Sequence, residues 1–421
     1  MKHFEHPLKH KPSELLWRMM LAFSGFLIVC GLVLSPWDTL LPGLAAIHSS
    51  PDVLISDYFV IGGMGAAMLN AGAVTLFSLL LTRKLGLTYS GLSVAAILIM
   101  GGFALFGKNL LNCLPILFGN WLYARWQRER WNKYIIIGLF STCLAPFVSF
   151  LFVTLDTSFA RRVLAAALIG ALIGFVVPAL APHTASFHMG YNLFNVGFAA
   201  GFVAIALMSV LRGFQLDSGS VMIWQRGFPP LLTGLCLGGL ALLFGWGWLL
   251  SDEEELRRLG RITRHSGRAV ADFVFMDGVG PTFMNMAIMG LLAIGWLWLI
   301  GGDLNGPTLG GVITIMGFAA FGMHPKNCAP IVAGIWAATL LLRYQPADPS
   351  IQLAALFGTG LAPIAGQFGA GWGIAAGMLH CAIVTTVGSV YGGLNLYNNG
   401  FTAGLVALIL VPLIQSFKRE A

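Results

Sequence analysis

The chain alternates between long apolar runs and short polar stretches along its whole length. Seven apolar segments fall in the first half, at 15–36, 57–82, 86–107, 109–124, 134–154, 162–181 and 190–211. Seven more fall in the second half, at 229–250, 273–300, 306–322, 324–342, 351–367, 371–390 and 396–417. A helix needs about 20 apolar residues to cross the hydrocarbon core of a bilayer, and some of the segments are expected to be half-helices. The pattern therefore predicts an all-α integral membrane protein.

The composition agrees with this assignment. Hydrophobic residues make up 57% of the 421 residues and charged residues only 10%, whereas a soluble domain carries about 25% charge. The net charge of +7 comes largely from basic residues in short polar stretches, such as 83–84, 125–133, 257–268 and 418–419. Short cytoplasmic loops are enriched in Lys and Arg. We therefore assign this charge to membrane topology and expect the lipid bilayer, not nucleic acid, as the partner.

The sequence contains no motif that indicates an enzyme. The six cysteines lie inside apolar segments and are interpreted as small core residues instead of disulfides or metal ligands. There is no Walker A loop, no H-E-x-x-H and no G-x-S-x-G, which are signatures of ATP hydrolysis, metalloproteases and serine hydrolases. We expect no catalytic residues, no cofactor and no metal.

Two sequence blocks each occur twice. Residues 102–119 (GFALFGKNLLNCLPILFG) correspond to 317–334 (GFAAFGMHPKNCAPIVAG), and from 101 and 316 onward 10 of 19 positions are identical at an offset of 215. Residues 190–204 (GYNLFNVGFAAGFVA) match 393–407 (GLNLYNNGFTAGLVA) at 10 of 15 positions, at an offset of 203. Matching halves with Gly- and Pro-interrupted apolar segments are typical of transporters that bind their solute at the repeat interface.

The odd number of segments in each half predicts two tandem repeats of inverted topology. With a cytoplasmic N-terminus, the basic stretches and the C-terminal tail all fall in the cytoplasm, and the second half enters the membrane from the opposite side. The predicted organisation is a cytoplasmic N-terminal tail at 1–14, a first membrane repeat at 15–212, a connection at 213–228, a second membrane repeat at 229–417 with a cytoplasmic loop at 251–268, and a C-terminal tail at 418–421.

Each copy of the first block contains a predicted helix break. The break residues are Gly107, Pro115, Gly322 and Pro330, because glycine tolerates unusual backbone angles and proline removes a backbone donor. Such breaks persist at membrane depth only where protein or a water-filled cavity satisfies the exposed groups. Asn112 and Asn327 offer a donor and an acceptor to a polar solute. The alternative is a kinked helix whose asparagine bonds a neighbouring helix.

The second block repeats a pair of asparagines three residues apart, which share one helix face. These asparagines are Asn192 and Asn195 in the first half and Asn395 and Asn398 in the second. Two interpretations remain open for them, a place in the solute pathway and hydrogen bonding between helices. The glycines of the same block, at 197, 201, 400 and 404, form small-xxx-small pairs, which favour close helix packing.

Four ionisable residues in or beside the apolar segments are candidate partners for a solute: Lys108, His188, His324 and Lys326. Ionisable residues within a membrane are functional hypotheses by default. The alternative for the two lysines is that their side chains extend to the lipid headgroups. No carboxylate lies well inside an apolar segment, which argues against a carboxylate-based proton or cation relay and leaves a neutral solute or an anion.

At these motifs the chain resembles the urea transporter family. The segment FHMGYNLFNVGF (187–198) looks like that family's second motif, and GKNLLNCLPILFG (107–119) and GMHPKNCAPIVAG (322–334) look like its broken pore element. The resemblance implies ten full helices in two inverted five-helix halves, re-entrant half-helices, and a trimer with one pore per subunit. It places Phe106 and Phe321 in the role of an aromatic slot, but the chain has no clear equivalents of that family's selectivity glutamates.

The chain also looks like an uncharacterised bacterial membrane family defined by a duplicated domain. From these observations we expect a channel or facilitative transporter for a small polar solute in the bacterial inner membrane, with both termini cytoplasmic and the protein a homo-oligomer. The alternatives are an ion-coupled anion carrier that uses Lys108 and Lys326, and a membrane structural protein that transports nothing.

Overall fold

The computed structural model describes residues 12–53, 55–219 and 221–419, and most of the predicted tail at 1–14 and the end of the tail at 418–421 lie outside these residues. The helices of the first half are α1 (Pro12–Leu34), α2 (Trp37–His48), α3 (Tyr58–Ile61), α4 (Gly63–Lys84), α5 (Gly91–Phe103), α6 (Leu110–Trp126), α7 (Ile135–Ser141), α8 (Ala145–Thr154), α9 (Phe159–His188) and α10 (Asn195–Gly213).

The second half repeats this order from Pro230 onward. Its helices are α11 (Pro230–Leu250), α12 (Glu253–Ile262), α13 (Phe273–Met276), α14 (Val279–Leu299), α15 (Gly306–Phe318), α16 (Pro325–Leu341), α17 (Pro349–Gly358), α18 (Ala362–Phe368), α19 (Ala370–Val387) and α20 (Asn398–Arg419). Two short strands, β1 (Ile55–Ser56) and β2 (Met222–Ile223), pair in parallel. Short 3-10 turns join α7 to α8 and α17 to α18, so each of these pairs forms one continuous rod.

Ten helical segments in the described part of the chain are long and apolar enough to cross a membrane. Five belong to each half: α1, α4, α7–α8, α9 and α10, and then α11, α14, α17–α18, α19 and α20. Helices α5 and α15 have 13 residues each and reach only about 20 Å at 1.5 Å per residue. The predicted fold class is confirmed, because the seven apolar segments of each half form five spans and one helical hairpin, α5–α6 or α15–α16.

Hydrogen bonds between the halves show how the repeats are related. Asp57, before α4, accepts the backbone N–H of Gly306 at the start of α15 (3.2 Å). Asp272, before α14, accepts the N–H of Gly91 at the start of α5 (2.8 Å). These bonds exchange under the offset of 215, and reciprocal contacts of this kind are the mark of a two-fold relation. The two repeats therefore pack about a pseudo-two-fold axis.

The same bonds fix the two sides of the molecule. Asp57 and Gly91 lie at opposite ends of α4, whose 22 residues span about 33 Å. Since Gly91 bonds Asp272, the loop around Asp272 lies on the side opposite Asp57. We call these sides the Asp57 face and the Asp272 face. Hairpin α5–α6 starts at the Asp272 face and hairpin α15–α16 starts at the Asp57 face, as inverted repeats require.

Close packing of small residues brings the halves together at the centre. A Cβ atom on Gly102 of α5 would lie 3.1 Å from the carbonyl oxygen of Gly310 in α15. The reciprocal Cβ on Gly317 would lie 2.9 Å from the Cα of Ala95. In α10 and α20, Gly197 packs directly on Gly400. The small-residue pairs of the second block therefore serve helix packing, because any side chain at these points would separate the repeats.

The helix interruptions lie at the glycines and not at the prolines. Gly107 and Gly322 have φ of +154° and +102°, in the region that favours glycine. Pro115 and Pro330 lie inside the continuous helices α6 and α16, which corrects the expectation that they break the chain. Each proline ring packs against a glycine of the neighbouring span, Pro115 against Gly170 in α9 and Pro330 against Gly373 in α19. The neighbouring helix thus leaves room for the ring.

Candidate functional site

An asparagine from the preceding span holds each hairpin break. Asn70 of α4 donates through Nδ2 to the carbonyl oxygens of Ala104 (2.7 Å) and Lys108 (2.9 Å). Asn285 of α14 donates in the same way to Ala319 (2.8 Å) and Met323 (2.9 Å). These carbonyls lose their helical partners at the break, and the amide satisfies them inside the protein.

Asn112 and Asn327 bond the breaks from the helices that follow them, α6 and α16. Each closes a capping box at the start of its helix, Asn112 with Asn109 and Asn327 with His324. Their Nδ2 atoms donate back to the carbonyl oxygens of Gly107 (3.1 Å) and Gly322 (2.8 Å). Neither asparagine lines a cavity described below. Their position supports a structural role at the break, and a direct contact with solute stays a prediction.

A cavity of about 420 Å³ enters the protein from the Asp272 face. Its outer part is formed by Met189, Ala269 and Val270, and Val270 is 81% exposed. Deeper inside, the lining includes His188, Asn192, Leu193, Asn195, Phe140, Phe318, Phe321 and Tyr397. We call this space the Asp272-side cavity. It contains four of the residues predicted from the sequence: His188, Asn192, Asn195 and Phe321.

A second cavity of about 300 Å³ enters from the Asp57 face. Its outer part includes Met222, Ser350 and Ser389, which are exposed. Its inner lining includes Phe106, Phe357, Tyr391, Asn395, Leu396 and Asn398. We call it the Asp57-side cavity. It contains three more of the predicted residues, Phe106, Asn395 and Asn398.

The pseudo-two-fold axis relates the two cavities. Phe106 corresponds to Phe321 at the offset of 215, and six pairs of lining residues correspond in all: Phe106/Phe321, Phe357/Phe140, Tyr391/His188, Asn395/Asn192, Leu396/Leu193 and Asn398/Asn195. Phe357, Leu396 and Asn399 line both cavities. These three residues form a wall between two spaces that approach each other from opposite faces, and we call them the central wall.

The repeated asparagines shape the cavities by fixing the backbone. Asn192 accepts the N–H of Phe194 (2.9 Å) and donates to the carbonyl oxygen of Gly400 in the other half (3.2 Å). Asn195 donates to the carbonyl oxygen of Ala181 (2.8 Å), while its own oxygen is shared by Thr184 and His188, both at 2.9 Å. These groups are largely occupied, so the asparagines act first as links between helices that border the cavity.

The asparagines of the second half differ from those of the first in the hydrogen bonding of one side-chain nitrogen. Asn395 is 4% exposed and accepts the N–H of Tyr397 (2.9 Å). Its Nδ2 is buried without a hydrogen-bond partner among the described residues. The equivalent nitrogen of Asn192 does have a partner, the carbonyl of Gly400. Asn398 bonds Tyr391 and the carbonyl oxygen of Val384. A buried amide donor is thus left open beside the Asp57-side cavity.

The candidate ionisable residues have different environments. Lys108 is completely buried, so its head does not extend to the headgroups as one sequence interpretation proposed. Its Nζ donates to the hydroxyl of Tyr397 (2.9 Å). Lys326 is exposed and lines neither cavity. His324 is buried as the N-cap of α16 and bonds the carbonyl of His265 (2.9 Å).

A buried carboxylate lies beside the first break on the Asp57 face. Asp52 is 1% exposed and accepts hydrogen bonds from the hydroxyl of Tyr58 (2.8 Å) and Nδ2 of Asn112 (3.3 Å). Burial raises the pKa of Asp52 to about 7 and that of Asp57 to about 6. The position equivalent to Asp52 is Gly267, so this carboxylate exists in one repeat only.

The site residues predicted from the sequence do not include Asp52, His380, Tyr397 or Asn399, of which Tyr397 and Asn399 line a cavity. A search for repeated residues could not find them, because none of them is repeated in the other half. The signal that identifies them is the opposite one, a polar residue where the equivalent position is apolar or glycine.

Comparison with known proteins gives a family but no precedent for the chemistry. The family described as "Protein of unknown function (DUF1576)" matches twice, at residues 37–213 and 251–416. No curated protein and no solved structure matches the chain, and the resemblance to urea transporters receives no support. Each matched region lies in one structural repeat and begins after that repeat's first span, α1 or α11, and together the two regions cover most of the sequence. The chain therefore belongs to the DUF1576 family, a family of unknown function whose domain occurs here as an inverted pair in a multi-span membrane protein.

Proposed function

We propose that this protein is a transporter that carries a small polar solute across the membrane through the two cavities. The observation that supports this most is the arrangement of the cavities on the pseudo-two-fold axis. They approach from opposite faces and are separated by the central wall of Phe357, Leu396 and Asn399. Transporters built from inverted repeats place their solute at the repeat interface near the bilayer midplane, and the central wall lies at that interface.

The unequal cavities favour a carrier over an open channel. Two inverted repeats of similar sequence can exchange conformations, so that the larger cavity alternates between the two faces. The Asp272-side cavity has about 420 Å³ and the Asp57-side cavity about 300 Å³. This difference corresponds to a state that is more open to the Asp272 face. In the opposite state the Asp57-side cavity would be the larger one, and the solute would leave there.

The chemistry of the lining limits the solute. The cavities are lined mainly by aromatic and aliphatic side chains, with asparagine, histidine and tyrosine as the polar groups. Such a site suits a small solute with few polar groups, because buried polar groups on either side need partners. We do not assign Lys326 to the pathway, since it is exposed outside both cavities.

We also propose a membrane and an orientation. The Asp272 face carries the basic segment 257–268, and short basic loops favour the cytoplasm. With the Asp272 face inside, both termini are cytoplasmic. The bacterial inner membrane, a homo-oligomer such as a trimer, and the absence of enzymatic activity remain part of this proposal.

The test is uptake by proteoliposomes that contain the purified protein. A panel of radiolabelled small solutes, neutral and anionic, would be offered with and without a proton or sodium gradient. The variant Leu396→Trp enlarges a residue of the central wall, and we expect it to lower uptake at least tenfold. Leu242→Trp is the matched control, because Leu242 is 75% exposed on α11. Equal uptake by both variants, or no uptake of any solute by the wild type, would refute the proposal.

A further inference from the structure

One polar cluster at the centre of the molecule breaks the symmetry of the repeats. It consists of two hydrogen-bonded pairs, Lys108 with Tyr397 (2.9 Å) and His380 with Asn399 (3.0 Å). At the equivalent positions of the other repeat the residues are Met323, Phe194, Val177 and Val196. Both members of each polar pair thus replace apolar residues. We call the four polar residues the central polar cluster.

The surrounding geometry is otherwise conserved between the repeats. The rings of Phe103 and Tyr397 have centroids 4.7 Å apart at 66°, and the equivalent rings of Phe318 and Phe194 are 4.8 Å apart at 69°. The same packing is therefore achieved without a lysine or a hydroxyl. Packing alone gives no reason for a buried amine in one repeat. An ionisable residue within a membrane is energetically costly, and its presence points to a function.

Lys108 has no acidic partner in the part of the chain that the structure describes. It is completely buried, and none of the salt bridges among residues 12–53, 55–219 and 221–419 includes it. Besides the Tyr397 hydroxyl, its Nζ contacts the sulfur of Met100 (3.8 Å) and faces the rings of Phe103 and Tyr397, whose centroids lie at 5.3 and 4.8 Å. Aromatic faces attract a cation, but they leave its charge without a counterion.

Hydrogen-bond chemistry determines what the cluster presents to the cavity. An ammonium group only donates, so the hydroxyl oxygen of Tyr397 accepts from Lys108 and the hydroxyl hydrogen is free to donate elsewhere. The amide oxygen of Asn399 only accepts, so the ring nitrogen Nε2 of His380 donates to it and the amide NH₂ is directed away. Tyr397 and Asn399 both line the Asp272-side cavity, and neither of their free donors has a protein acceptor among the described residues.

We propose that the central polar cluster is a binding site for a small oxyanion with one negative charge, such as a carboxylate. This inference rests on the proposed transport function and names its solute class. The anion accepts hydrogen bonds from the Tyr397 hydroxyl and the Asn399 amide, and Lys108, behind Tyr397, supplies the opposite charge. A single lysine matches a single negative charge, because in a low dielectric a second charge would remain uncompensated. The site occurs once per chain because the cluster occurs in one repeat only.

The symmetry of the fold provides the test variants. Lys108→Met and Asn399→Val each introduce the residue that already stands at the equivalent position, Met323 or Val196, so both variants are expected to fold. Lys326→Met removes the same charge from an exposed lysine and is the matched control. Binding is measured on the purified protein as the rise in melting temperature with acetate, lactate or nitrate, and with urea and glycerol as neutral probes. Uptake of the same solutes is measured in proteoliposomes.

We expect at least one of the three anions, and neither neutral probe, to stabilise the wild type and to be taken up. Lys108→Met and Asn399→Val should weaken anion binding at least tenfold, while Lys326→Met should leave it unchanged. Anion binding without uptake would refute the transport proposal and leave the site standing. Uptake of urea or glycerol without anion binding would refute the site and leave the transport proposal standing. Wild-type anion binding by a folded Lys108→Met protein would also overturn the site.

Discussion

Removal of the Asp57 carboxylate should loosen the two repeats by a predictable amount. Asp57 accepts three backbone N–H groups, from Phe59 (3.0 Å), Gly306 (3.2 Å) and Gln225 (3.1 Å). Two of the three donors belong to the other half or to the connection between the halves. Asp57 therefore holds α3, the start of α15 and the connection together at the Asp57 face.

The magnitude follows from the number of donors that lose their acceptor. In Asp57→Ala three N–H groups lose their partner, and each buried unsatisfied donor costs about 1–3 kcal/mol. Water at the Asp57 face recovers part of this loss, so we expect a net destabilisation of about 3 kcal/mol, the lower limit of that range for three donors. Asp272 accepts two N–H groups, from Gly91 (2.8 Å) and Val274 (3.1 Å). Asp272→Ala should therefore cost about 2 kcal/mol by the same reasoning.

The cysteines of the chain provide the assay. Five of the six are buried and none forms a disulfide, so a thiol-reactive dye reports unfolding of the detergent-solubilised protein during heating. Asp38→Ala is the control, because Asp38 is an exposed acid in the first turn of α2. Asp57 and Asp272 lie on opposite faces, so the stability lost in the variant that carries both Asp57→Ala and Asp272→Ala should be the sum of the two single losses.

The reasoning fails if Asp57→Ala melts at the same temperature as Asp38→Ala. It also fails if Asp272→Ala is clearly less stable than Asp57→Ala, because the order follows from three donors against two. If the double variant loses much less stability than the sum of the single losses, Asp57 and Asp272 do not act on independent ends of the repeat interface.

Three further predictions concern pH, packing and topology. Burial raises the pKa of Asp52 to about 7, so between about pH 4 and 7 the folded state binds this proton more tightly than the unfolded state does. The free energy of unfolding therefore falls as pH rises through this range, by about 1.4 kcal/mol per pH unit. Asp52→Asn should therefore gain melting temperature relative to wild type at pH 8 compared with pH 5, and the opposite sign would contradict the pKa. Gly201→Ala should destabilise by about 1–3 kcal/mol because its Cβ would meet a phenylalanine ring of α20, whereas Gly238→Ala, which has open space around it, should not. Single cysteines at Ala45 and Gly260 should react with an impermeant maleimide from opposite sides of the membrane, and labelling of both from one side would rule out the inverted arrangement.

The sequence was sufficient to predict the spans and the inverted repeats, because both depend on patterns that extend over many residues. Membrane spans need about 20 apolar residues, and the two blocks matched at constant offsets. The sequence predicted that some apolar segments are half-helices, but it did not identify which segments form the hairpins. Their identity depends on length, since α5 and α15 stop after 13 residues at glycines that turn the chain.

The site was predicted only in part, because repetition points to what both halves share. Repeated residues such as Asn112 and Asn327 proved to hold the helix breaks, a role that both halves need. Asn192 and Asn195 do line a cavity, but most of their polar atoms bond other helices. The prediction that the prolines break the helices was wrong for a local reason. A glycine on the neighbouring span accommodates each proline ring, and the helix continues.

A duplicated membrane protein carries two kinds of information, and they point to different properties. Positions that are equal in both halves preserve the two-fold packing, as the exchanged bonds of Asp57 and Asp272 show. A solute without two-fold symmetry that binds near the axis cannot contact both halves equally. Residues that recognise such a solute must therefore differ between the halves, and the difference should be greatest close to the axis. Lys108 and Asn399 meet this condition, because their counterparts Met323 and Val196 are apolar. In this fold the departures from the repeat are the better guide to recognition, and the repeat itself is the better guide to architecture.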